Sequence, residues 1–310
     1  MNDCLPYHIP ALLEPSMEGL SIQPAGRYAD ATFGGGGHSR AILERLGPQG
    51  RLFGFDRDSD ARQNAPDDKR FTFVHGDFRY MRNFLEYLEA LPVDGIIADL
   101  GVSFHHFDAA ERGFSFRADA PLDMRMNQNA DARTAADLLR DISQKDLEGL
   151  LRRYADLRNP RRVAEALVMA RQQKPIATTS QLAAASEPAL DPRRVKKEMA
   201  QLFQALRIEV NSEIDALEQL LTSAPFMLRP GGRMAILTYH SVEDRLVKNY
   251  FRSGRADGEV QTDIYGRVQS PWKLVTRQPV VASEEEVERN PRARSAKLRV
   301  AIFNPLSESK

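Results

Sequence analysis

Between Arg27 and Gly101 the chain repeats one rhythm. Short apolar runs, "RYADATF" from Arg27, "RLFGFD" from Arg51, "FTFVHGDF" from Phe71 and "DGIIADLG" from Asp94, alternate with stretches of helical pattern. Strand after helix after strand is the arrangement that builds a parallel sheet covered by helices, and such a sheet binds ligands beyond the carboxyl ends of its strands. The rhythm breaks after Gly101. From about Asp131 to Leu206 the pattern is helical and punctuated by turns, and "GGRMAILTYHS" from Gly231 then resumes the sheet. An inserted helical domain is the simplest reading, with boundaries of 1–108 and 207–310 for the sheet domain and 109–206 for the insertion. The alternating "SAKLRVAIF" from Ser295 is expected to add a last, antiparallel strand at the sheet edge.

The first strand runs into "DATFGGGGHSR", Asp30 to Arg40, with four consecutive glycines ahead of a helical segment. Bare backbone at a helix start admits a ligand close to free N–H groups. A dinucleotide fingerprint is absent, because Gly34-x-Gly36 and Gly35-x-Gly37 would need glycine where Ser39 and Arg40 stand, and the phosphate-loop lysine is also missing. Asp56 closes the second strand, placed to accept hydrogen bonds from ribose hydroxyls. Asp77 and Phe78 follow the third strand, and Asp99 closes the fourth. A nucleoside-bearing ligand without a pyrophosphate fits this edge, with Phe78 available to an adenine ring.

Composition narrows the partners. In 310 residues, 43 Lys and Arg balance 43 Asp and Glu, so a polyanion must be met by local patches and not by a global field. Asp141 to Ala200 carries 12 basic against 8 acidic residues, with a cluster at Arg193, Arg194, Lys196 and Lys197. "RNPRARS" near the C-terminus holds another cluster, and both suit RNA phosphates. Phe114, Phe116 and Tyr239 are candidates to stack a splayed base. The single cysteine, Cys4, excludes a disulfide framework and a CxxC metal site, and it makes thiolate attack on a pyrimidine ring a poor reading, so an amine or hydroxyl acceptor is expected. No metal-ligand cluster stands out. Neither a secretion signal nor a membrane-length apolar run is present, which leads to an expectation of a cytoplasmic protein that meets no membrane.

"YHIPALL", "DATFGGGGHSRAIL", "DLGVS", "ERGFSF", "PLDMRM", "FQALRIEVNSE", "LRPGGRMAILTYHSVEDRLVK" and "NPRARSAKLRVA" follow one another from Tyr7 to Ala301. In that order they resemble the MraW family of ribosomal RNA methyltransferases over nearly the full length. The resemblance implies a class I, Rossmann-like α/β fold dependent on S-adenosyl-L-methionine, with a helical insertion. It implies methylation of the exocyclic N4 of a cytidine in the decoding region of small-subunit (16S) ribosomal RNA; the assembled small subunit is the expected partner, with free RNA the alternative, and a homodimer is left open. Cofactor contacts carried over by motif fall on Gly36, Gly37, His38, Asp56, Phe78, Asp99 and His106. For the transfer itself the candidates are Asp99, His240, Ser241 and Asn211: "TYHSVED" ends the resumed strand and so reaches the same edge as Asp99.

Overall fold

A computed structural model of the chain describes residues 10–101, 110–127, 132–263 and 265–305. It divides into two compact units, one of 1–101 with 215–310 and one of 102–214.

The first unit is built on one eight-stranded sheet. Its strands are β1 (Arg27–Asp30), β2 (Arg51–Asp56), β3 (Phe71–His75), β4 (Val93–Asp99), β5 (Leu228–Thr238), β6 (Trp272–Leu274), β7 (Val280–Val281) and β8 (Lys297–Phe303). They are ordered β3-β2-β1-β4-β5-β8-β6, with β7 also paired to β8. The first five are parallel. β8 is antiparallel to β5 as its pattern suggests, yet it is no edge strand, since β6 and β7 pair with its far side. Those two strands are too short, at three and two residues, to give a periodic signal.

Alternation along the strands sends side chains to two faces. Ala29, Phe53, Phe55, Ile96, Ala98, Met234 and Ile236 pack on one face, against Met81 and Leu85 of helix Met81–Tyr87, Leu220 and Leu221 of helix Glu213–Met227, and Tyr250 and Phe251 of helix Ser241–Ser253. Tyr28, Leu52, Ile97, Ala235 and Leu237 pack on the other, with Met17 and Leu20 of helix Leu13–Leu20 and Ile42 and Leu43 of helix Gly37–Arg45. Helices on both faces explain why the central strands read as near-continuous apolar runs. The strand order reverses between β1 and β4, which opens a crevice at their carboxyl ends.

The second unit is helical, with α-helices at Ala135–Asp141, Gln144–Tyr154, Pro160–Gln173, Thr179–Ser186 and Val195–Asn211 among its described residues. Local signals start them. Thr134 with Asp137 and Thr178 with Gln181 form capping boxes, and Asn159 caps a helix that begins on Pro160. Leu150, Leu151, Val163, Leu167, Leu182, Leu202 and Leu206 form its core. The last helix runs past residue 206 without a break, so the unit closes several residues beyond the expected boundary.

Candidate active site

The carboxyl edge of the first unit carries an aspartate at nearly every parallel strand. Asp30, Asp56 and Asp99 end β1, β2 and β4, and Asp77 lies two residues past β3. Their roles differ. Asp30 is buried, accepting the Ser39 hydroxyl at 2.7 Å and the Thr32 N–H at 3.1 Å, and it ties the first turn of helix Gly37–Arg45 to β1. Burial pushes its carboxyl above the usual range, against the Ser39 hydrogen bond. Thr32 in turn accepts the Asp99 N–H on its hydroxyl at 2.6 Å, so the loops leaving β1 and β4 are held together.

Asp56 takes one backbone N–H on each oxygen, Gly34 at 2.8 Å and Asp58 at 2.8 Å. A carboxylate has about four lone-pair sites, so both oxygens keep capacity for a ribose diol. Burial raises its carboxyl pKa, and the two backbone bonds only partly offset this. Asp77 accepts the Arg79 N–H at 2.9 Å and pairs with its guanidinium at 3.2 Å. Phe78, half-buried, rests on the core beside it.

The four glycines are not equivalent. Gly36, the N-cap of helix Gly37–Arg45, has φ of 75°, and a Cβ there would meet the Phe33 ring at 2.9 Å. At Gly37 a Cβ would meet Pro10 at 2.8 Å. Both are needed by the protein's own packing. Gly35 has neither reason: it is exposed, and a Cβ there would find no protein atom within 4 Å. Bare backbone facing open space beside a carboxylate with spare acceptor capacity fits a ligand laid against the loop. The sequence alone does not single out Gly35, because a run of four glycines hides which member faces outward.

His38 is buried, with Nε2 3.3 Å from the Ala11 carbonyl and Nδ1 3.8 Å from Asp99 Oδ2. Asp99 therefore has one oxygen toward His38, while the other accepts the Gly101 N–H at 3.1 Å. A Cβ at Gly101 would lie 3.0 Å from Tyr239 Cε2 and 3.1 Å from Asp99 Oδ1, which places the phenol ring and the carboxylate side by side. Burial, then Asp99, push the Tyr239 phenol well up, so it stays a neutral donor.

His240 caps helix Ser241–Ser253. Its Nδ1 accepts the Glu243 N–H at 3.4 Å, and Glu243 returns Oε2 to the N–H groups of Tyr239 at 2.9 Å and His240 at 3.4 Å. Nε2 lies 3.0 Å from Glu243 Oε1 outside hydrogen-bond geometry. Ser241 is exposed at the first helical position. One turn on, Asp244 accepts Arg299 at 2.7 Å and Lys297 at 3.4 Å, so the "SVED" and "SAKLR" motifs meet as an ion-pair cluster. Despite burial, Arg299 and Lys297 hold the Asp244 carboxyl below its ordinary value.

In the helical unit the Asn211 amide is occupied by backbone, with Oδ1 accepting Met126 N–H at 2.8 Å and Nδ2 donating to Met124 O at 2.8 Å and Arg207 O at 2.9 Å. It pins the "PLDMRM" segment. Phe114 belongs to that unit's core and does not offer a stacking face, whereas Phe116 is part-exposed on Phe203 with ring centroids 5.5 Å apart. Arg194 pairs with Asp156 at 3.3 Å, while Arg193, Lys196 and Lys197 are exposed and have no ion pair among the described residues. His106 and Cys4 lie outside the described residues. No described helix is long and apolar enough to cross a membrane.

Asp56 and Asp99 at their strand ends, with a bare loop, suit a ribose and a cationic group. They oppose a pyrophosphate, since the nearby Arg40 guanidinium is spent on the Gly35 and Asn64 carbonyls.

Comparison with known proteins points in the same direction. The profile of the MraW methylase family matches residues 6–303. Ribosomal RNA small subunit methyltransferase H of Bacteroides thetaiotaomicron is 51% identical over 300 residues, covering 97% of this chain and 98% of that protein. The protein of the same name from Porphyromonas gingivalis is 52% identical over 300 residues, covering 95% and 96%.

Proposed function

This chain belongs to the MraW methylase family, and from that membership we propose that it transfers a methyl group from S-adenosyl-L-methionine to small-subunit ribosomal RNA, at N4 of a cytidine in the decoding region. The RNA is met in the assembled small subunit, in the cytoplasm. The observation that carries the reading is Asp56 at the end of β2, bonded to Gly34 N–H beside the exposed Gly35, with Asp99 ending β4 across the same crevice, which suits a ribose and a sulfonium together.

When bound, the cofactor supplies a methyl group on a cationic sulfur whose charge is lost on transfer. The chain's own residues do the rest. Asp56 holds the ribose hydroxyls on the oxygens it leaves open, and Gly35 lets the nucleoside lie on the backbone. Phe78 offers a face to the adenine. Gly36 and Gly37 shape the helix start, and His38 lies beside Asp99.

Cytidine N4 is a weak nucleophile because its lone pair is delocalised into the ring. Acceptors for the amine hydrogens hold it in line and favour pyramidal nitrogen, and alignment in a site closed to water contributes more than a strong base. Asp99 is the acceptor best placed, with the neutral Tyr239 phenol beside it. His240 and Ser241 form the adjoining wall, and Asn211 keeps the "PLDMRM" segment in shape. After attack the surplus N4 proton leaves to an acceptor at this edge.

Transfer of tritium from labelled S-adenosyl-L-methionine to purified small subunits lacking the modification tests the reading. Label is expected in the decoding-region RNA, on cytidine N4 after digestion. Label confined to protein, or to another base, rejects it.

A further inference from the structure

Beside the strand-end site, in the same unit, lies a pocket of about 200 Å³ lined by Tyr239, His240, Ser241, Val281, Arg294, Ser295, Ala296 and Lys297. It is smaller than the roughly 300–1,000 Å³ of sites that enclose a whole small molecule. Two serines, an arginine and a lysine line it beside Tyr239, His240 and two apolar residues, and Tyr239 also lies next to Asp99.

The charges around it are unevenly matched. Asp244 is satisfied by Arg299 and Lys297, and Glu243 turns Oε2 inward to the backbone of Tyr239 and His240. Arg294 is exposed, with no hydrogen bond or ion pair among the described residues, and the Ser241 and Ser295 hydroxyls are also uncommitted. A forked, always-charged donor set beside two hydroxyls matches a tetrahedral oxyanion. S-adenosyl-L-methionine carries no phosphate and its one anionic group is a carboxylate, whereas every nucleotide of an RNA acceptor brings a tetrahedral phosphodiester.

We propose that this pocket seats a backbone phosphodiester of the RNA beside the acceptor nucleotide, with Arg294 as its principal ligand and Ser241, Ser295 and Lys297 around it. The inference rests on RNA being the substrate. It makes Ser241 and the "RARSAK" segment positioning elements, because the phosphate fixes where the nucleotide enters and Tyr239 connects that point to Asp99.

The test is binding to small ribosomal subunits lacking the modification, measured against salt for wild type, Arg294→Ala and Arg294→Lys, with cofactor affinity followed separately by calorimetry. Arg294→Ala is expected to bind about tenfold more weakly and to lose about 0.7–0.9 of a unit of the log–log salt slope, as one phosphate contact predicts. Arg294→Lys should keep the slope while binding less tightly, because the charge remains and the fork does not. Cofactor affinity should be the same in all three. Wild-type affinity and slope in Arg294→Ala overturn the inference even when wild type methylates normally. Wild-type protein that neither binds nor methylates the subunit overturns the reading beneath it, and this one with it.

Discussion

Asp56 Oδ2 accepts the backbone N–H of Gly34 across 2.8 Å, so the end of β2 holds the glycine loop that follows β1. The shape of the loop therefore depends on the carboxylate to which the proposed reading gives the ribose. Asp56→Ala is expected to weaken S-adenosyl-L-methionine binding by at least about 1.5–3 kcal/mol, the range for hydrogen bonds to a charged group. Asp56→Asn should lose less. Calorimetry on both variants decides it, and unchanged affinity in the alanine variant removes Asp56 from the site.

The same carboxylate sets a pH dependence. Burial raises its pKa, so the free protein takes up this proton at a higher pH than an ordinary aspartate does. Cofactor affinity should decline on acidification from above the ordinary carboxylate range, approaching about tenfold per pH unit once the group is protonated. For folding the sign is opposite. A raised folded-state value favours the protonated native protein, so this contribution is full below the unfolded pKa and is lost as pH rises through the folded one. Affinity measured against pH for wild type and Asp56→Asn checks the first effect, and the asparagine variant should lack that decline.

Gly35→Ala and Gly36→Ala should fail in different ways. At Gly36, φ of 75° and the Phe33 ring 2.9 Å from a new Cβ predict a loss of about 1–2 kcal/mol in stability. At Gly35 the added methyl meets no protein atom, so the melting temperature should hold while cofactor affinity falls about tenfold or more. A Gly35→Ala protein that binds the cofactor like wild type would place the ligand elsewhere.

His240 has a structural role as the cap of helix Ser241–Ser253, and its replacement needs a control. His240→Ala should cost about 1 kcal/mol of stability through loss of the cap. It should also slow single-turnover methylation with cofactor affinity nearly intact. His240→Asn, which can cap, should regain the stability and not the rate. Recovery of both would make the histidine a capping residue alone.

Neutralising Arg193, Lys196 and Lys197 together should flatten the salt dependence of binding to the small subunit, by up to about 0.7–0.9 unit for each phosphate no longer held. Arg194 is left in place because it holds Asp156. Cofactor affinity should not change. An unaltered slope would return the three to an ordinary solvated helix face.

Much of this molecule is written locally. The apolar runs ending at Asp30, Asp56 and Asp99 mark parallel strands, and a strand pattern places its last residue at the binding edge whatever the rest of the chain does. Thr134, Asn159 and Thr178 announce helix starts by chemistry completed within a turn. Long-range pairing decided the rest. No spacing reveals that Thr32 would hold Asp99, that Asp244 would meet Arg299 55 residues away, or that β6 and β7 would cover β8. Within "GGGG" the four positions are chemically identical. Only the neighbours brought by the fold, Phe33 at Gly36, Pro10 at Gly37 and open space at Gly35, separate glycines that the protein's packing needs from one that it does not. The sequence determines periodicity and residue chemistry, because those are properties of adjacent residues. Which lone pairs remain free, and which charge is left unmatched, is decided by contacts between distant segments, and those exist only in the folded chain.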